Sequence, residues 1–342
     1  MSEKLTLSEL LATLGARREL TEAQVRALIH DVLLGRHDEV ETAAWLVALR
    51  MKGETAGEIA AAARVLREHM VRWDPGRAGV LDTCGTGGDG TGTFNISTAT
   101  ALVVAGAGVP VVKHGNRAVT SRTGSADVLA ALGVPIECDP ALARRSLEHA
   151  GLAFCFAPHF HPALAHIAGL RRRLGVPTIF NCLGPLANPA GAERQLLGVG
   201  RLELLDVMAG ALARLGTAHA LVVCGRDGLD EVSLAAPTLV RQVRGAQITG
   251  WEWTAGDFGL PACPLEALTA RDPAESAALI ERVLRGVDGP ASWVVLANAA
   301  AGLVAAGQVA APRDGVARAR AAIESGRALH VLQQLRTLKD RT

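Results

Sequence analysis

Residues 79–98 read Gly79-Val80-Leu81-Asp82-Thr83-Cys84-Gly85-Thr86-Gly87-Gly88-Asp89-Gly90-Thr91-Gly92-Thr93-Phe94-Asn95-Ile96-Ser97-Thr98. The apolar opening predicts a strand over 79–83, followed by a glycine run and an alanine-rich helix from about Ser97. A second strand, predicted over 109–112, runs into Lys113-His114-Gly115-Asn116-Arg117. Strand, helix and strand of this size form a right-handed βαβ unit in a parallel sheet, so this part of the chain is α/β.

Upstream the pattern is helical only. Thr21-Glu22-Ala23-Gln24 and Thr55-Ala56-Gly57-Glu58 are capping boxes, each followed by apolar residues at helical spacing. Gly35 and Gly53 suit helix ends. Four helices in some seventy residues make a small bundle, bounded by the turn-rich Trp73-Asp74-Pro75-Gly76. Downstream, residues 220–224 read as a buried strand, and residues 316–322 and 328–335 as helices parted by Gly326. Residues 154–189, rich in His, Pro and Arg, fit neither period.

Gly85-Thr86-Gly87-Gly88-Asp89-Gly90 matches GxGxxG, but a dinucleotide fold needs an acidic residue at the end of the next strand. Lys113 stands there instead. No Gly-Lys-Ser/Thr closes the run, which removes the P-loop reading. What remains is a phosphate cradle of another type. Five glycines between 85 and 92 let backbone N–H groups approach an anion, and Thr93, Asn95, Ser97 and Thr98 add donors at a helix N-terminus. Asp89 would repel phosphate and is read as binding sugar hydroxyls or orienting the loop.

Residues 113–125 follow the next strand at the same sheet edge, so both runs should face one site. Three cations and four hydroxyls there suit a mobile loop that closes on an anion. Asp230-Glu231, after the 220–224 strand, needs a cation if it lies beside phosphate, and Mg²⁺ is the natural one; an isolated acidic pair is otherwise a solvated loop. His159, His161 and His166 lack a completing ligand for zinc and are read as lining or packing a hinge.

The 342 residues exceed one ordinary core, and 35 Lys plus Arg against 34 Asp plus Glu leave no field suited to nucleic acid or an anionic membrane. Six scattered cysteines read as small buried hydrophobes in a reducing compartment, and no apolar stretch is long enough to span a bilayer. With no signal-like N-terminus, a cytoplasmic location is expected.

GTGGDGTGTFNIST (85–98), KHGNRAVTSRTGSAD (113–127), HPALAHIAGLRRRLG (161–175), TIFNCLGPLANPA (178–190) and GLDE (228–231) occur in the order found in anthranilate phosphoribosyltransferases, which the chain resembles along nearly its whole length. The resemblance implies a helical domain over 1–73, with about 158–190 returning to it and homodimers formed through it. It implies a larger α/β domain with a mostly parallel sheet over 76–157 and 191–342. The substrates implied are 5-phosphoribosyl 1-pyrophosphate (PRPP) and anthranilate, with Mg²⁺. Matching PRPP positions are Gly85, Gly88, Asp89, Thr93, Asn95, Ile96, Ser97 and Thr98, together with Ser125. The lid supplies Lys113, His114, Gly115, Asn116, Arg117, Ala118, Val119, Thr120 and Ser121. Ser97, Asp230 and Glu231 match metal positions; Gly85, Asn116 and Arg171 match anthranilate contacts; Lys113, Arg171 and Asn116 are the catalytic candidates. Departures from the family pattern are Thr120-Ser121-Arg122-Thr123, Pro177 and Cys224. The alternatives weighed are a pyrimidine nucleoside phosphorylase-like enzyme and a nucleic-acid-binding relative.

Overall fold

The structure, a computed structural model, describes residues 6–117 and 123–338. Lid positions Ala118, Val119, Thr120, Ser121 and Arg122 lie outside the described residues.

Capping chemistry sets the N-terminal bundle. Helix α1 (Leu7–Gly15) opens on Thr6 and Glu9, α2 (Glu22–Leu33) on Thr21 and Gln24, and α4 (Ala56–Glu68) on Thr55 and Glu58. In each, the threonine hydroxyl accepts from the N3 amide and the N3 side chain accepts from the threonine amide. Between them α3 (Glu39–Lys52) starts on Asp38, whose carboxylate accepts from Val40 and Glu41. Both predicted capping boxes are present; the one at Thr6 adds a third.

Glu58 goes beyond capping. Only 1 % exposed, it accepts from Leu20 N and Thr55 N, each at 2.9 Å, and from Lys52 Nζ at 2.8 Å. One buried carboxylate thus ties the segment before α2 and the end of α3 to the start of α4.

A seven-stranded sheet follows, in the order β3-β2-β1-β4-β5-β6-β7. Its strands are β1 (Leu81–Gly85), β2 (Val111–Gly115), β3 (Leu152–Phe156), β4 (Arg194–Gly198), β5 (His219–Gly225), β6 (Thr238–Arg244) and β7 (Gln247–Trp253). The first five are mutually parallel; β6 and β7 are antiparallel, a hairpin that sequence reasoning did not place. β1 and β2 each start two residues later than predicted and run further. Their ladders continue through polar residues, Gly85 pairing with Gly198 and Lys113 with Phe154, after the apolar stretch has ended. The chain steps from β1 out to β2 and β3 and then returns to β4. This reversal between β1 and β4 makes a switch point where α/β sheets hold ligands.

Side-chain alternation divides the strands between two cores. Leu81, Val111, Leu196 and Leu221 face α5 (Ile96–Gly106) and the helix Pro290–Ala305. Leu197, Val199, Ala220 and Val222 face the helix Glu203–Arg214, and that core continues without a break into α1–α4. Residues 157–190 form only short helices and turns around one longer helix, Ala165–Leu174. Ile167, Leu170, Phe180 and Leu183 from this segment share the core with Ile29, Leu46 and Ile59 of the bundle. All six cysteines are buried and unpaired, and among the described residues no helix is long and apolar enough to cross a membrane.

Replacing Glu58 by Ala leaves the buried Lys52 ammonium with only the Gly53 carbonyl and takes the acceptor from two backbone amides. The expected destabilisation is about 3 kcal/mol, read as a lower urea midpoint by circular dichroism. An unchanged midpoint would show that Lys52 and the amides are satisfied without the carboxylate.

Candidate active site

A cleft of about 320 Å³ opens at the carboxyl ends of β1, β2 and β4. The glycine run forms its floor. Gly87 and Gly88 take left-handed backbone angles (φ +65° and +76°) that bend the loop back toward the sheet. Thr86 N donates to Gly198 O at 2.9 Å and Gly87 N to Asp230 Oδ2 at 3.1 Å. The amides of Gly88, Asp89 and Gly90 find no acceptor among the described residues, and both Gly88 and Gly90 are exposed. Of these, Gly88 and Asp89 line the cleft and form an anion cradle next to the N-terminus of α5, where Asn95 Oδ1 caps Thr98 N at 3.1 Å.

The cradle is pinned from behind by residues that sequence reasoning missed. Phe94 N donates to Leu268 O at 2.8 Å, Ala270 N to Gly92 O at 3.0 Å, and Asn95 N to Ser276 Oγ at 2.9 Å. These contacts join segments some 180 residues apart in sequence, so no local pattern reveals them.

Lys113 corrects one expectation. It is not in a mobile loop: it lies within β2, 3 % exposed, with Nζ donating to Thr83 O and, at 3.0 Å, to Ser97 Oγ. His114 and Gly115 likewise belong to the strand. Burial pushes the Lys113 ammonium below the usual lysine range, and Asp82, Glu231 and Asp230 pull it back. Thr98 lies deeper than the other side-chain donors of the run. It is 1 % exposed, with its hydroxyl in the core and not in the cleft.

Asp230 and Glu231 reach the same cleft, half-buried, and the Ser97 amide bonds to Glu231. Burial and then Asp89 push the Asp230 carboxyl up to about 7; burial and then Asp230 push Glu231 well above its ordinary range. Asp89 itself is anchored by Thr91, whose Oγ1 donates at 2.5 Å. Three carboxylates crowd against one buried lysine. Oxygen donors in excess of local positive charge suit Mg²⁺, which takes one or two carboxylates and completes its shell with water and substrate phosphate. Among the described residues no group of three or more His, Cys, Asp or Glu side chains is placed to hold a metal ion.

Gly85 and Gly198 let Asp230 in. A Cβ on Gly85 would stand 2.6 Å from Asp230 Oδ2, and one on Gly198 1.5 Å from Asp230 O. The second of these has no motif to announce it.

Asn116, Arg117 and Ser125 rim the cleft. Asn116 O accepts from Ala126 N at 3.2 Å and Ser125 Oγ at 3.4 Å, while Arg117 pairs with Asp127 at 2.9 Å. Thr93, Ile96 and Ser97 line it, and Thr123 Oγ1 bonds Thr93 O at 3.4 Å. The departures Pro177 and Cys224 lie outside the lining, Cys224 being buried in β5.

The opposite wall is less polar: Leu66 of α4, Leu164, Phe180 and Asn181, with Arg171 among them. The Arg171 guanidinium stacks over Phe180 at 5.7 Å, and no carboxylate pairs with it among the described residues. Burial lowers its pKa, though a guanidinium stays charged at any working pH. His114 and His161 also line the cleft, their rings 4.9 Å apart. His114 Nδ1 donates to Gly184 O at 2.9 Å and His161 Nε2 to Ala187 O at 3.0 Å. The other ring nitrogens, His114 Nε2 and His161 Nδ1, are buried acceptors without donors. His161, expected to line or pack a hinge, thus lines the cleft wall.

The chain matches the glycosyl transferase family in two parts, the helical bundle domain over residues 8–70 and the a/b domain over 77–329. It is 47% identical over 335 residues to anthranilate phosphoribosyltransferase of Symbiobacterium thermophilum, covering 98% of each chain. It is 50% identical over 313 residues to that of Thermomicrobium roseum, covering 90% of each. Among solved structures, anthranilate phosphoribosyltransferase from Thermus thermophilus superposes with a TM-score of 0.89 at 43% identity, over 96% of this chain and 98% of that one. The Saccharomyces cerevisiae enzyme in complex with PRPP and Mg gives 0.88 at 28% identity, over 98% of each.

The two buried histidines tie stability to pH. Burial first, and then the neighbouring His161, holds His114 at about 3, and burial holds His161 at about 4, against an ordinary 6.5. The fold excludes protons that the unfolded chain takes up, so this stability is intact above about 6.5 and lost as pH falls toward those values. Asp82, pushed by burial from 3.8 up to about 6, works the other way and blunts the loss below about 6. His161→Gln keeps a donor for Ala187 O and removes one titration. Its thermal midpoint should fall less between pH 7 and 5 than that of the unsubstituted chain; equal slopes would refute the neutral buried ring.

Proposed function

The chain belongs to the glycosyl transferase family, in the branch of the anthranilate phosphoribosyltransferases, and on that premise we propose how its cleft transfers the phosphoribosyl group of PRPP to the amine of anthranilate. The observation that carries this reading is the single cleft, in which an anion cradle, a buried lysine and a carboxylate pair face an arginine on an apolar wall.

The reaction forms an N–C1 bond on ribose as the C1–O bond to pyrophosphate breaks, with loss of one amine proton. The aromatic amine is neutral at pH 7 and keeps its lone pair, so no strong base is needed before attack. The difficulty is expelling pyrophosphate while positive charge grows on the sugar. The free amides of Gly88 and Asp89, with Thr93, Asn95 and Ser97, hold the phosphates in fixed donors. Lys113, held by Thr83 O and Ser97 Oγ, supplies one positive charge to the leaving group. Asp230 and Glu231, with Ser97, would hold Mg²⁺, which neutralises charge on the leaving pyrophosphate. Arg171 takes the anthranilate carboxylate, and Gly85 and Asn116 complete the acceptor site, orienting the amine toward C1. The relatives' identity at this coverage leaves the phosphorylase and nucleic-acid alternatives without support.

Two copies pairing through the helical bundle is part of the same reading. It is supported by α3, where Val40 and Met51 stand 77% and 76% exposed on the outer side. Six buried, unpaired cysteines support a reducing compartment, the cytoplasm.

Anthranilate fluorescence should be lost only when PRPP and Mg²⁺ are both added. The Asp230→Asn, Glu231→Gln double variant should lose its magnesium dependence along with most of kcat; undiminished magnesium activation would remove the pair from the metal site. Arg171→Ala should raise the KM for anthranilate at least tenfold and leave that for PRPP within about twofold, the loss of a charged bidentate contact to one substrate only. Equal rises for both substrates would exclude the carboxylate contact.

A further inference from the structure

Helix Pro290–Ala305 is buried along its length from Val294 onward and apolar but for one amide, Asn298. Asn298 is 0% exposed and its hydrogen-bonding groups are all engaged. Nδ2 donates to Val232 O at 3.0 Å and to Val294 O at 2.9 Å, and Oδ1 accepts from Val232 N at 2.8 Å. Toward Val232 the side chain acts as a neighbouring strand would, gripping both polar groups of one residue. An amide in such a helix is costly unless satisfied, and packing alone asks for an aliphatic residue here.

Val232 directly follows Asp230-Glu231. On the other side of that pair, the strand-end glycine Gly198 leaves room for the Asp230 carbonyl and no more. Within the loop, Asp227 accepts from Leu229 N at 3.2 Å and from Ser233 Oγ at 2.6 Å. The acidic pair is thus held from three directions, with the grip on the backbone next to it coming from a helix some 66 residues away.

We propose that Asn298 is a positioning residue for the divalent cation. By fixing the Val232 peptide it keeps two carboxylates turned into a cleft that already holds Asp89, an arrangement their mutual repulsion would otherwise open. This rests on the reading of Asp230 and Glu231 as the metal pair.

The test uses the full chain and Mn²⁺ as a spectroscopic probe in the presence of inorganic pyrophosphate, with the dissociation constant read by electron paramagnetic resonance. Asn298→Leu removes all three hydrogen bonds. Asn298→Asp keeps the volume and the acceptor for Val232 N, and serves if the leucine variant does not fold. Both should weaken Mn²⁺ binding about tenfold or more, the usual cost of losing a group that orients a metal ligand. The KM for anthranilate should stay within about twofold. Ser292→Ala, a buried polar change on the same helix, should move neither. Unchanged Mn²⁺ affinity in the Asn298 variants overturns the proposal, as does a rise in anthranilate KM in step with the loss of metal, which marks a general loosening of the fold. If the Asp230→Asn, Glu231→Gln variant binds Mn²⁺ as tightly as the unsubstituted chain, the metal reading itself fails, a result separable from failure of the role of Asn298.

Discussion

Like charge held against like charge is the constraint on which the site depends. Asp89, Asp230 and Glu231 converge on a cleft whose floor is shaped to receive anions, and one buried ammonium, Lys113, answers them. Left to themselves these groups would separate into solvent. Three of them are tied in place: Lys113 inside a strand, Asp89 to Thr91, and Asp230 to an amide of the glycine run. A site arranged in this way is completed only when phosphate and a cation arrive together, since either alone leaves part of the charge unmatched.

The fold makes this possible by placing the switch between β1 and β4 where three loops meet. One face of the sheet rests on a helical layer that backs the cradle, and the other shares its core with the bundle and the 157–190 segment. That shared core sets the distance between the phosphate side of the cleft and Arg171. Glu58, which ties separate segments of the bundle together, therefore contributes indirectly to where the wall carrying Arg171 sits.

Much of this was legible in the sequence. Capping boxes announced the helices because they are local, with both partners within four residues. The glycine run and the Lys113 segment announced the cleft because backbone approach to an anion needs unusual composition. Strand limits were less legible. The apolar signal stops where Lys113 and His114 begin, yet these residues remain in the ladder, buried by the site they serve. Residues 157–190 resisted because their helices and turns are mostly too short to carry a period and are held by contacts such as His161 to Ala187. The roles of Gly198, Ser276 and Asn298 were invisible for a related reason: each depends on a partner far away in the chain.

The four central strands β1, β2, β4 and β5 all end in glycine, at Gly85, Gly115, Gly198 and Gly225. A Cβ at these positions would fall 2.6 Å from Asp230 Oδ2, 2.1 Å from Ser125 Oγ, 1.5 Å from Asp230 O and 2.2 Å from Asp227 Oδ1. The smallest possible substitution thus meets a polar atom on every strand that feeds the cleft. At Gly198 the obstacle is backbone and cannot turn aside, while at the other three it is the end of a side chain that must rotate away, so this side of the cleft tolerates least change where β4 ends. Leu66, Leu164, Phe180 and Asn181 stand on the facing wall, carried by helices and turns outside the sheet. On the proposed reading, a lineage evolving toward a different nucleophile would find its variation there.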